Sequence, residues 1–80
     1  MTFSECKIGD KGTSVIVLQA FLRSMHFVGK DGKRITVDGV FGANTGRAVY
    51  NFKLFCKNCG NKVALNEVCD KATWNMIMGG

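Results

Sequence analysis

Four cysteines, one histidine and a polar cluster around a glycine turn are the groups in this 80-residue chain whose types and spacing could do chemistry. Cys56 and Cys59 have the C-x-x-C spacing of half a zinc site, but Cys6 and Cys69 stand alone, whereas structural zinc sites usually bring two such pairs. No metal and no cofactor is therefore expected. Disulfides would admit three connectivities among four cysteines, and buried thiols acting as small hydrophobes are the other reading. His26 has no Asp or Glu at helical spacing to orient it, and general-base work requires such a partner. No motif sets a pair of carboxylates for glycoside cleavage. Catalysis is thus not expected of this chain, and binding is.

The binding chemistry centres on Asp38-Gly39-Val40-Phe41-Gly42-Ala43-Asn44-Thr45. Glycines at both ends of Val40-Phe41 allow a sharp turn that delivers the aromatic ring inward. A helix starting at Ala43 then presents unpaired N–H groups and a partial positive charge, which suit a carboxylate. Asp38, Gly39, Asn44, Arg47, Tyr50 and Asn51 are the expected ligand-binding residues around that turn. Asp38 has a second reading, since an Asx side chain often satisfies donors of its own turn. Phe41, Phe52 and Trp74 read as core.

Three helices are needed to position this turn. Val15, Leu18, Gln19, Leu22 and Met25 fall at helical spacing after the Gly9-Asp10-Lys11-Gly12 turn, predicting a first helix over residues 13–26. A second is predicted from Ala43 to Lys57, with Thr45, Ala48, Val49, Phe52, Phe55 and Cys56 on its buried stripe. Between them, residues 29–42 read as loop, with at most a short extended piece at 34–37. A third helix follows Asp70, which reads as its N-cap, carries Trp74 and Ile77 and stops at Gly79. The segment Asn66-Glu67-Val68-Cys69-Asp70-Lys71-Ala72-Thr73-Trp74 is a worn copy of the first turn: an Asx residue, Val two positions on and Thr seven positions on. The expected core is Val15, Leu18, Leu22, Phe41, Val49, Phe52, Trp74 and Ile77. The fold class is all-α, a compact three-helix domain with two turn-plus-helix pseudo-repeats, spanning 1–80 with its core at 8–78.

Composition narrows the setting. An apolar fraction of 46% excludes a disordered chain, and no apolar run approaches the roughly 20 residues that span a bilayer. The net charge of +5 suits a polyanionic partner, yet the lysines and arginines are scattered apart from Lys30, Lys33 and Arg34 in one loop. The N-terminus lacks the regions of a signal peptide, so synthesis in the cytoplasm or excision from a longer secreted protein is expected, and the former favours free thiols. Ile16, Val17 and Phe21 add apolar surface to helix 1 beyond its buried stripe. Either a loop covers them or they dock a linked domain or a second copy.

These residues resemble a known family, the three-helix peptidoglycan-binding domains of bacterial and phage cell-wall hydrolases. Gly12, Val15, Leu18, Gln19 and Leu22 match its pattern G-x-x-V-x-x-L-Q-x-x-L. Asp38, Gly39, Phe41, Gly42, Thr45, Ala48, Val49 and Phe52 match D-G-x-F-G-x-x-T-x-x-A-V-x-x-F, with Lys53 where Gln is usual. Thr73 and Trp74 survive from a second D-G-x-x-G-x-x-T-W unit, in which Asn66-Glu67 and Asp70 replace the Asp-Gly and Gly. The resemblance implies a non-catalytic module that holds a wall hydrolase or phage endolysin on peptidoglycan, through stem peptide or glycan, acting at the bacterial cell wall. A linked catalytic domain would meet Ile16, Val17 and Phe21. The eroded second unit keeps a second reading open, an interaction scaffold that has lost its ligand. A small basic nucleic-acid-binding module is a third, disfavoured because no helix clusters Arg or Lys; neither nucleic acid nor membrane is expected as a partner.

Overall fold

The computed structural model describes residues 5–60 and 63–77. Three helices follow in order, α1 (Thr13–Ser24), α2 (Ala43–Asn58) and α3 (Lys71–Ile77), and the described connections contain isolated β-bridges rather than strands. The expected third-helix stop at Gly79 lies outside the described residues.

Amphipathic spacing explains α1 and α2. Val15, Leu18, Gln19 and Leu22 of α1 are buried, as are Thr45, Ala48, Val49, Phe52, Lys53 and Cys56 of α2. Phe41, Trp74, Cys6, Cys69 and Ile35 complete one core cluster, with Ile77 packed half-buried at its edge. Phe52 is the hub of an aromatic group. The rings of Phe21 and Phe27 meet it edge-on at 5.2 and 5.5 Å between centroids, a geometry that the ring quadrupoles favour.

Helix α1 stops two residues earlier than its apolar spacing predicts. Phe27 N–H donates to Leu22 O at 3.0 Å and His26 N–H to Arg23 O at 3.1 Å, the paired bonds of a Schellman stop. His26 occupies the left-handed position usually given to glycine, with φ of 64°. Met25 leaves the helix and is 51% exposed. Phe55 is also corrected: assigned to the buried stripe of α2, it is 54% exposed and touches only the edge of the aromatic group, 6.2 Å from Phe27. One turn beyond Phe52 the buried position is Cys56, and Phe55 lies to the side of it, toward solvent.

The loop between α1 and α2 is tied down at four points. Arg23 Nη1 donates to Ile35 O at 2.9 Å, Asn51 Nδ2 to Val28 O at 3.2 Å, and Lys30 N–H to Asn44 Oδ1 at 3.1 Å. Ile35 itself is buried as a plug. Gly29 lies so close to α2 that a Cβ there would sit 2.7 Å from Asn44 Cβ, so no larger residue fits without moving the loop. Of the outer apolar residues of α1, Val17 and Phe21 are half-buried against the core, and Ile16 stays 44% exposed.

Candidate functional site

A cleft of about 380 Å³ lies near the sequence-predicted residues, between the loop 31–36 and the first turn of α2. The loop contributes Asp31, Lys33, Arg34 and Thr36 to its lining, and the turn and first turn of α2 contribute Asp38, Gly42, Ala43, Asn44 and Thr45. How the chain builds this cleft begins with one buried side chain.

Gln19, 1% exposed, projects from α1 beneath the Asp38-Gly39-Val40 turn. Its Oε1 accepts from Asp38 N–H at 3.1 Å and Gly39 N–H at 2.9 Å. Its Nε2 is shared among Val40 O at 2.9 Å, Asp38 Oδ1 at 3.0 Å and Thr45 Oγ1 at 3.0 Å. An amide suits this role because it carries donor and acceptor in one plane. Gly39 adopts φ of 77°, and Ile16 lies over it so closely that a Cβ would meet Cγ1 at 3.2 Å. Both the backbone angle and the packing thus call for glycine.

The turn then releases the chain into α2. Gly42 caps that helix without a side-chain acceptor, and its first turn holds no acidic residue. The end of α2 consequently keeps its partial positive character toward the cleft. Lys33 and Arg34 add two exposed cations on the facing wall. Arg34 Nη2 also lies 3.0 Å from His26 Nδ1, which gives His26 a partner that is not a carboxylate. The Asp38 carboxyl is held below the usual carboxylate range, first by the Val40 N–H at 3.0 Å and then by the Gln19 amide. It is exposed and ionised at neutral pH, and one of its oxygens is already engaged in holding the turn.

The sequence-predicted residues separate into three groups. Asp38 and Asn44 line the cleft, and Gly39 lies buried beneath it. Arg47 and Tyr50 sit further along α2, where the guanidinium lies 5.1 Å from the ring centroid as a cation–π pair. Asn51 faces the start of the loop and holds Val28. Lys33, Arg34 and Thr36 were missed as lining residues. The signal for them was the basic cluster of the loop, whose distance from the turn in sequence hid its proximity in space. Among the described residues no group of three or more His, Cys, Asp and Glu could hold a metal ion.

No protein-family model matches the chain, and no curated protein does. Solved structures do. The SleB N-terminal domain superposes with a TM-score of 0.78 at 25% identity, over 99% of this chain and 94% of that domain. The Burkholderia AP3 phage endolysin superposes with a TM-score of 0.75 at 23% identity, covering 98% of this chain but only 26% of the endolysin's length. With its three helices, its glycine turn held by Gln19 and superpositions that take in nearly all of it, the chain has the fold of the three-helix peptidoglycan-binding domains.

Proposed function

We propose that this chain is a non-catalytic module that binds peptidoglycan and holds a linked cell-wall hydrolase on its insoluble substrate. The observation that carries this reading is the cleft beside the uncapped end of α2, walled by Lys33, Arg34, Asp38 and Asn44. Stem peptides offer carboxylates and amides, and this cleft presents two cations, helix N–H groups and two carboxylates, Asp31 and Asp38, that would complement them. Arg47 and Tyr50 extend the polar surface along α2, where a glycan or peptide leaving the cleft would run. The endolysin superposition supports a linked catalytic domain, because a chain of this size corresponds to a minor part of that protein. Affinity in the micromolar to millimolar range would suffice, since tethering acts by raising effective concentration.

The test is a pull-down on insoluble sacculi stripped of teichoic acid, at low and at physiological salt. Retention at both salts is expected. Lys33→Ala and Arg34→Ala should each weaken retention by roughly fivefold, the value of about 1 kcal/mol for an exposed charged contact. Retention at low salt alone would reduce the role to charge attraction to a polyanion. No retention would leave an interaction scaffold that has kept the fold.

A further inference from the structure

We infer that Cys6 and Cys69 are a disulfide-forming pair that staples the N-terminal segment to the second turn. The two residues face each other directly across an antiparallel bridge. Cys6 N–H donates to Cys69 O at 3.0 Å and Cys69 N–H donates to Cys6 O at 2.8 Å, so both bonds of the pair are made. Directly opposed residues in such a pair send their side chains to the same side, with Cα atoms about 5.5 Å apart. A disulfide bridges Cα separations of about 4.4–6.8 Å. Both side chains are buried in the one core cluster, at 2% and 0% exposure, and both are thiols. Of the three connectivities open to four cysteines, the fold thus selects the one that contains this pair.

The thiols differ in access. Cys6 borders an open hollow of about 400 Å³ with Glu5, Asp10 and Lys11, whereas Cys69 lies sealed behind it. Burial pushes both thiols up from their ordinary range, with Asp10 and Glu5 adding to the effect at Cys6 and the Cys6 thiol adding to it at Cys69. Few thiolates therefore exist in the native state, and the bond forms while the chain folds. The oxidant is a small disulfide such as oxidised glutathione. The Cys6 thiolate attacks one of its sulfurs, forming a mixed disulfide and releasing one glutathione thiolate. The Cys69 thiolate then attacks Cys6 Sγ and expels the second. Two protein thiols are oxidised, one glutathione disulfide is reduced, and two protons leave the cysteines. The bond closes most of the chain into one loop, the arrangement from which a cross-link restricts the unfolded chain most. This inference is independent of wall binding.

Refolding the full 80-residue chain in a glutathione redox buffer, followed by alkylation, tryptic digestion and mass spectrometry, tests it. Cleavage after Lys7, Lys53, Lys57, Lys62 and Lys71 places each cysteine in its own peptide. The expected product is peptide 1–7 joined to peptide 63–71, two hydrogens lighter than their sum. Its melting temperature should exceed that of the reduced chain by about 10 °C or more. A Cys59→Ala variant should keep the same linkage. Recovery of peptides 1–7 and 63–71 separately alkylated in every buffer would overturn the inference. So would a bond joining either peptide to the one containing Cys56 or Cys59, or a bond between Cys56 and Cys59 alone.

Discussion

The two turns, 38–45 and 66–73, solve one geometric problem with different chemistry. In each, the first side chain accepts from the N–H two residues on: Asp38 from Val40 at 3.0 Å, Asn66 from Val68 at 3.2 Å. In each, the fourth residue pairs with the N-terminal segment, Phe41 with Asp10 and Gly9, Cys69 with Cys6. In each, a buried side chain from the preceding helix reaches under the turn. Gln19 does this with a neutral amide. Lys53, 0% exposed, does it with an ammonium that donates to Asn66 Oδ1 and lies 3.6 Å from Asp70 Oδ2. The decisive difference is at the helix start. Asp70 fills its own helix end, accepting from Thr73 N–H at 3.0 Å and Thr73 Oγ1–H at 2.8 Å. Gly42 at the equivalent place fills nothing. A turn that supplies its own anion has no use for a ligand's, and the turn without one is where the cleft lies.

The comparison can be broken in several ways. The largest effect should come from Phe41→Ala, which empties the centre of the first turn and costs roughly 3–5 kcal/mol. Cys69→Ala at the matching place should cost about 1 kcal/mol, and urea denaturation of the reduced proteins measures both. Equal losses would mean that the second turn is as deeply keyed into the core as the first. Next comes Lys53→Met, expected to cost about 3 kcal/mol because it strands the Asp70 carboxylate, at the low end for a broken buried pair since Asp70 keeps 30% exposure. Gln19→Leu should cost about 2 kcal/mol through the donors and acceptors it leaves unmade.

Acid sharpens the contrast. Burial pushes the Asp70 carboxyl up, but the Thr73 N–H and hydroxyl and the Lys53 ammonium outweigh it and hold it below its ordinary value. A carboxyl lowered on folding adds stability above its unfolded value, near 4, and that stability is lost as pH falls through the folded value. Stability should therefore be flat from neutral pH down to about 5 and decline below that. Asp70→Asn should flatten the decline more than Asp38→Asn, as read from urea midpoints across the acid range. The smallest effect on stability and the clearest on function belongs to Asp38→Ala. Sacculus retention should fall while the helical circular dichroism persists, and unchanged retention would remove Asp38 from the site.

The helices and the first turn were legible because their signals are local. Apolar spacing placed α1 and α2 to within two residues, and the expected core residues are buried or, for Ile77, packed against its edge. What escaped is what depends on distant partners. Ile35 has no periodic neighbours to mark it as core, and only the loop that carries it across α1 buries it. Lys53 reads as a surface charge until Asn66 and Asp70 close over it. Which of the expected site residues share a surface was not legible, because Asn44 and Asn51 each bind the distant loop, at Lys30 N–H and Val28 O, and sequence spacing does not carry those contacts. The worn repeat was visible as spacing alone; that its helix end is self-filled depended on where the Asp70 carboxylate points.

The position of Gln19 has a consequence for how freely the surface of the cleft can vary. Because the turn is held from the inside, by an amide that never meets solvent, the exposed side chains on the loop side of the cleft are under little structural obligation. Lys33 and Thr36 can be exchanged while the turn keeps its shape, whereas any change at Gln19 reaches every part of it. The chemistry that the cleft offers to a ligand can then change without rebuilding the scaffold. For a laboratory wishing to retarget the cleft, the library to make randomises the exposed Lys33, Arg34 and Thr36 above an untouched Ile35 and Gln19.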